Sequence, residues 1–147
     1  MQPYDMNQVV FEYEGEADAW PKVEAGVRPF GSRVLVQIRR AKLKTKGGII
    51  LAGETRDTEA WNTQVAKVLE LGPLAFKNRN TMEEWPEGAW VKPGTYVRCP
   101  KYGGDRWSVR YTEPGSTATE EIVFVLFNDH DVLGEITGDP LAMKAFL

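Results

Sequence analysis

Glycine and proline breakers separate the apolar and alternating stretches of this sequence from one another. The stretches that they separate are short and apolar or alternating, and none carries an apolar stripe with a period of 3.6 residues. Close-spaced strands with Gly/Pro turns predict an all-β barrel or sandwich. The breakers are Gly47-Gly48, Gly72-Pro73, Pro86-Glu87-Gly88, Pro93-Gly94, Gly103-Gly104 and Pro114-Gly115.

Six segments have the residue pattern of strands. They are residues 33–39, 63–71, 95–99, 106–111, 120–127 and 132–136. In the second of these, Val65, Leu69 and Leu71 are expected to share one face. Residues 120–127 are apolar on both faces, which predicts a strand buried on both sides.

The chain divides into one domain with an extension at each end. Residues 1–27 are acidic and irregular apart from a short strand candidate at Val9-Val10-Phe11, and they are interpreted as an arm that packs on the surface or on a neighbour. Residues 28–136 form the predicted barrel domain, and residues 137–147 form a C-terminal tail. Two connections inside the domain, residues 40–62 and 73–92, are long enough to carry function.

The composition leaves little material for catalysis or metal binding. His130 lies in a polar turn and is expected to be exposed, and Cys99 is expected to be a buried structural thiol. No phosphate-binding glycine loop or nucleophile motif occurs, so we expect no enzyme activity, no cofactor and no metal. A net charge of −3 favours neither nucleic acid nor membrane surfaces, and without a visible signal segment we expect the cytoplasm.

The segment from Lys42 to Asp57, called here the docking loop, has charged flanks around a bare apolar triplet, Ile49-Ile50-Leu51. Glycines on both sides of the triplet widen its backbone freedom. Such a segment suits a loop that becomes ordered when it docks on a partner. On physical grounds alone, a further core strand with a glycine entry fits equally well.

From Arg28 onward the sequence resembles the GroES-type co-chaperonin family over about 110 residues. Five motifs occur in the family's order, and together they are specific where each alone is weak. They are Arg28-Pro29-Phe30-Gly31-Ser32-Arg33-Val34, Gly47-Gly48-Ile49-Ile50-Leu51, Val65-Ala66-Lys67-Val68-Leu69-Glu70-Leu71-Gly72, Val91-Lys92-Pro93-Gly94-Thr95-Tyr96-Val97, and the pair Glu120–Leu126 and Asp131–Ile136.

The resemblance implies a small β-barrel with a mobile loop and a roof loop, assembled into a homo-oligomeric ring, expected to be a heptamer. The mobile loop would bind the apical domains of a GroEL-type chaperonin through Gly47, Gly48, Ile49, Ile50 and Leu51. The roof loop, residues 73–92, would cover a client protein in the cage with Glu83, Glu84 and Glu87. The subunit interface would use Val34, Val36, Val132, Leu133 and Ile136, with the C-terminal strand paired to the neighbour's first strand.

Departures from the family pattern leave other interpretations open. The arm and the tail are additions, and Thr95 replaces the family's usual aspartate, which prompts the hypothesis of a divergent, virus-encoded member in a host cytoplasm. A structural or decoration protein of a virion or other assembly, with the same fold, is the main alternative. A nucleic-acid-binding barrel is the other, because residues 39–46 are basic and Trp107 and Tyr111 offer stacking surfaces.

Overall fold

The computed structural model describes residues 9–11, 13–40, 43–45, 64–115, 117 and 119–143, with the backbone alone for residues 9–11 and 43–45. The elements in chain order are β1 (Val9–Phe11), α1 (Glu16–Ala19), β2 (Arg33–Ile38), β3 (Leu43–Thr45), β4 (Val65–Leu71), β5 (Tyr96–Arg98), β6 (Asp105–Thr112), β7 (Thr119–Asn128), a 3-10 turn (Asp129–Asp131) and β8 (Gly134–Glu135). Within these ranges, no helix is both long enough and apolar enough to cross a membrane.

One antiparallel sheet of six strands, in the order β6-β7-β2-β4-β5-β8, makes up the domain. This confirms the predicted all-β fold, and each of the six predicted strand segments overlaps an observed strand. The last strand is shorter than predicted, since only Gly134 and Glu135 pair with β5. A separate two-stranded ribbon joins β1 to β3.

The sheet wraps around a core of small and branched apolar side chains. Alternate residues of the two central strands point into it, since strand side chains alternate between faces. The buried members of this inner core are Val34, Val36, Ile38, Ala66, Val68, Ala75, Phe76, Val91, Val97, Cys99, Val123, Val125, Phe127 and Val132.

A β-bulge in β4 corrects the prediction that Val65, Leu69 and Leu71 share one face. The pairing with β2 shifts between Leu35 and Val36, so that Leu69 is an extra residue without a partner in the register. Leu71 therefore packs on the inner core, whereas Leu69 packs on the opposite face of the sheet and Val65 belongs to a third cluster. The simple period of two fails at the inserted residue.

The opposite face of the sheet is also covered. Leu35, Ile122 and Phe124 are buried there, which confirms that residues 120–127 form a strand buried on both sides. Their neighbours on this face include Trp107, Val109, Tyr111, Val23 and Ala25.

The N-terminal arm supplies part of that cover, and its backbone carbonyls accept hydrogen bonds from side chains of the barrel. The indole N–H of Trp107 donates to the Ala25 carbonyl at 2.9 Å, and the Gln37 amide donates to the Pro21 carbonyl at 2.9 Å. The arm residues from Tyr13 to Ala25 thus pack on the barrel of their own chain.

The third cluster joins both ends of the chain. Ala19 and Trp20 of the arm are buried against Val65 and Ile136. Tyr13, Tyr96, Leu141 and Met143 pack around them. The arm and the C-terminal tail therefore share one small apolar core beside the barrel.

Candidate functional site

Arg40 is the point at which the barrel, the arm and the docking loop meet. It follows β2 directly and is the last described residue before the loop, and its side chain is buried. The guanidinium binds three carboxylates, from the arm and from either side of the turn between β6 and β7. They are Asp18 at 2.8 Å, Glu113 at 3.0 Å and Glu120 at 2.6 Å.

These carboxylates stabilise the charged form of Arg40. Burial alone would lower the pKa of the guanidinium, but hydrogen bonds and charges from Glu113 and Glu120 outweigh it and raise the pKa above its ordinary value. The ring of Tyr111 lies 5.9 Å from the guanidinium carbon and adds a cation–π contact. Arg40 is therefore a permanently charged tie between three elements.

Arg39 makes the corresponding connection to the C-terminal tail. Its side chain is almost fully buried and donates to the carbonyl oxygens of Pro140 at 2.8 Å and Met143 at 2.6 Å. The guanidinium also lies 5.5 Å from the centre of the Tyr13 ring. Adjacent arginines thus fasten the arm and the tail at the root of the docking loop.

These contacts bear on the interpretation as a nucleic-acid-binding barrel. Arg39 and Arg40, the start of the basic run, are buried among protein partners. Trp107 is stacked on Phe124 at 6.0 Å, and its N–H is used by the arm. In the described residues, the side chains proposed to bind phosphates and bases are engaged within the protein.

The roof loop is built on an aromatic cluster. Phe76, Trp85 and Trp90 pack with ring centres 5.1–5.7 Å apart. Phe76 has a left-handed backbone (φ 60°), and its N–H donates to the buried Asp129 carboxylate at 2.9 Å. The Asp129 carboxylate also accepts from the His130 N–H at 2.8 Å, so this buried group has hydrogen-bond partners and fixes the backbone near the start of the loop.

All three acidic residues assigned to the roof are exposed, which is compatible with lining a cage or with plain solvation. Glu84 pairs with Lys77 in an isolated β-bridge. The Glu87 carboxylate accepts a hydrogen bond from the indole N–H of Trp90 at 3.0 Å. Glu83 accepts from the Asn78 N–H through its carbonyl oxygen at 2.7 Å.

The five residues assigned to the subunit interface lie in different environments. Val34 and Val36 are buried in the inner core, on a strand paired along both edges, and Val132 is buried in the same core. Ile136 is buried beside the arm, and its N–H donates to the Tyr96 carbonyl at 2.8 Å. Leu133 alone is strongly exposed, at 63%.

Other exposed apolar residues stand where the barrel begins. Phe30 is 77% exposed and Val27 is 41% exposed, both just before β2. Leu133 precedes β8, which ends the order of strands in the described sheet. A cavity of about 320 Å³ beside Leu133 is lined by Trp90, Val91 and neighbouring residues. Among the described residues, no further strand pairs with the outer edge of β8, and apolar side chains lie beside it.

The chaperonin-binding residues predicted from the sequence, Gly47, Gly48, Ile49, Ile50 and Leu51, lie outside the described residues. The backbone of β3, within the docking loop, is described up to Thr45. Cys99 is buried and His130 is exposed, as predicted. The described residues contain no group of three or more His, Cys, Asp or Glu side chains suited to a metal ion.

Sequence reasoning missed the two buried arginines and the buried aspartate. In the sequence, Arg39 and Arg40 stand out only as the start of a basic run, and Asp129 precedes His130 in a polar turn. A signal was present for the arginines, because they continue an alternating apolar strand directly and the acidic arm supplies carboxylates to pair with them. No local signal distinguishes Asp129 from its neighbour Asp131.

Comparison with protein-family models gives a match to the family described as "Chaperonin 10 Kd subunit" over residues 26–136. The match covers the six-stranded sheet and leaves out most of the arm and the tail.

Curated relatives carry names from the same family. A "Co-chaperonin GroES" from Clostridium beijerinckii is 36% identical over 80 residues, which covers 53% of this chain and 73% of the relative. A protein of the same name from Clostridium botulinum is 32% identical over 78 residues, with the same shares. The mitochondrial "10 kDa heat shock protein" of Oryzias latipes is 30% identical over 107 residues, or 73% of this chain and 90% of the relative.

Proposed function

The chain belongs to the chaperonin 10 kDa subunit family, and from that premise we propose that it forms a ring which caps the cage of a GroEL-type chaperonin. Family membership makes it a non-enzymatic co-chaperonin that works with a chaperonin and as an oligomer. The observation that carries the proposal is the family match over the whole six-stranded sheet.

The ring contact is proposed at the outer edge of β8, with which no further strand pairs among the described residues. An extended segment of a neighbouring copy would pair with that edge and place apolar side chains against Leu133. Phe30 and Val27, exposed at the start of the barrel, are suited to supply those side chains. Val34 and Val36 would support the contact only from inside the barrel. We propose a heptamer from the family resemblance.

The docking loop is proposed to bind the apical domain through Ile49, Ile50 and Leu51. Burying each of these side chains is worth roughly 1.5–3 kcal/mol. Ordering about eight loop residues costs roughly 1–2 kcal/mol each. The ordering cost, about 8–16 kcal/mol, exceeds the gain of about 4.5–9 kcal/mol from burying the triplet, so these three side chains alone do not give tight binding. A ring that presents several loops gains its affinity through avidity.

The roof loop is proposed to close the cage above a client protein. Glu83, Glu84 and Glu87 would keep the inner surface hydrophilic, and the aromatic cluster beneath them would fix the loop. In a Glu83→Ala/Glu84→Ala variant, an altered yield of refolded client would support this role, whereas an unchanged yield would leave an ordinary solvated loop. We also propose that the barrel domain comprises residues 28–136, with residues 1–27 as an arm and residues 137–147 as a tail. The proposed location is the cytoplasm, which would be that of a host if the protein is virus-encoded.

The docking step is tested by Ile50→Asp, with Ile50→Val as the matched control. A charge in the triplet should abolish binding to the nucleotide-bound chaperonin, because the carboxylate would be desolvated without a partner. The control should bind within a fewfold of the natural chain. Circular dichroism checks that both variants keep the barrel. Retained binding by Ile50→Asp would refute the docking role of the triplet, and a structural role in an assembly would then be the better interpretation.

A further inference from the structure

The N-terminal arm, outside the family match, supplies a strand to the docking loop. β1 of the arm pairs antiparallel with β3 of the loop, with Val9 opposite Thr45 and Phe11 opposite Leu43. Thr45 lies four positions before Ile49, the first residue of the apolar triplet. The arm therefore holds the backbone of the loop close to the residues proposed to dock.

Both strands of this ribbon are fastened at the same place on the barrel. Just after β1, the Tyr13 hydroxyl donates to the Arg40 carbonyl, and Arg40 is the last described residue before β3. The Arg40 N–H donates to the Ala19 carbonyl at 2.8 Å. The ion pair with Asp18, at 2.8 Å, adds a charged tie in a largely buried setting.

The arm is itself held by packing, so the ribbon has a firm base. Trp20 is buried in the cluster shared with the tail, and its indole N–H donates to the Gln37 carbonyl at 2.9 Å. Isolated two-stranded ribbons are marginal in water. Here the end of β1 and the start of β3 are both attached to the same packed anchor. The ribbon therefore loses less entropy on forming, because the two strands are already held close together.

We propose that the arm acts as a splint: β1 orders the part of the docking loop that contains β3 before the protein binds the chaperonin, and this raises the affinity of docking. This inference rests on the proposed function. Fixing the backbone of one residue costs free energy equivalent to about tenfold in a binding constant. Each loop residue that the arm orders in advance removes a penalty of that size from docking.

The test is a Val9→Pro/Val10→Pro variant with Val9→Thr/Val10→Thr as its control. Hydrogen-bonded and non-hydrogen-bonded pairs alternate along an antiparallel ladder, so one of two adjacent residues must donate to the partner strand. Two prolines therefore remove a ladder donor whichever residue supplies it. Threonine keeps the donors and the branched shape of valine.

Two measurements are made on the full-length natural chain and on both variants. Hydrogen exchange of a peptide containing residues 43–45 reports the ribbon without any partner present. Titration with a nucleotide-bound GroEL-type chaperonin reports docking. We expect the proline variant to exchange faster at residues 43–45 and to bind at least about tenfold more weakly. The threonine control should match the natural chain in both, and the urea midpoint of the barrel should stay unchanged throughout.

The outcomes separate this inference from the function on which it rests. If the natural chain fails to bind the chaperonin, the proposed function falls and the splint falls with it. If the natural chain and the proline variant bind equally, the function stands and the splint is wrong. Equal rates of hydrogen exchange at residues 43–45 in the natural chain and the proline variant would show that the ribbon does not form in solution. Tighter binding by the proline variant would reveal a restraining arm and would also overturn the proposal.

Discussion

Replacing Trp20 by alanine should unfold this protein at markedly lower denaturant, because the side chain joins the arm to the barrel. Trp20 is 4% exposed and packs on Tyr96 with the ring centres 4.6 Å apart. Its cluster also contains Val65 and Ile136. The indole N–H supplies the hydrogen bond to the buried Gln37 carbonyl.

The expected loss follows from two terms. Truncating a buried aromatic side chain to alanine costs about 3–5 kcal/mol through lost burial and the cavity left behind. The lost hydrogen bond adds about 1 kcal/mol, partly included in the first figure. We therefore expect Trp20→Ala to lower the free energy of unfolding by about 4 kcal/mol. Trp20→Phe retains most of the ring packing and should lose only about 1–2 kcal/mol.

Urea unfolding followed by far-ultraviolet circular dichroism measures both variants. The series is repeated at two protein concentrations, since assembly couples stability to concentration. If the slope of the free energy of unfolding against urea concentration is unchanged, the substitution has altered stability and not the surface exposed on unfolding. A loss below about 1 kcal/mol for Trp20→Ala would refute the packing of the arm on its own barrel. A loss that grows with protein concentration would instead place the arm on a neighbouring copy.

Three further outcomes follow from the buried polar groups. Arg40→Met should cost about 3 kcal/mol in urea unfolding, because it leaves carboxylates together without their counter-charge, and a loss near zero would contradict the burial of this tie. Asp129→Ala should cost about 1–3 kcal/mol by removing the acceptor of the Phe76 N–H, and should change the tryptophan emission of the roof; unchanged emission would contradict this link. Burial raises the pKa of Cys99 from 9.0 to about 11 and, with a contribution from Glu16, that of Tyr96 from 10.0 to about 12. The folded state thus binds these two protons more tightly than the unfolded state does. The contribution of these groups to the free energy of unfolding is therefore complete below pH 9 and is lost progressively as the pH rises to about 12. Cys99→Ala should show a shallower fall over this range, and an equally steep fall would contradict the role of the thiol.

The sheet was predictable from the sequence because alternation and glycine breakers are local signals. Residues 106–111 alternate strictly, and the structure pairs them with β7 in an unbroken register. The bulge at Leu69 was not predictable in the same way, since an inserted residue leaves the apolar pattern of the strand intact while changing the face of each residue after it.

The parts that sequence reasoning placed least well depend on contacts between distant segments. Arg40 looks like a solvated cation until Asp18, Glu113 and Glu120 are brought to it from positions 22, 73 and 80 residues away. The arm has no single period because its apolar residues divide between two clusters, with Ala19 and Trp20 in one and Val23 and Ala25 in the other. The family motifs indicated the docking loop directly, yet they carry no information about the strand that the arm adds to it.

The central claim is tested most directly by native mass spectrometry of this protein mixed with a GroEL-type chaperonin, with and without nucleotide. We predict a homo-oligomer that adds to the chaperonin only when nucleotide is present. A protein that stays apart from the chaperonin in every nucleotide state would contradict the co-chaperonin function while leaving the all-β fold in place.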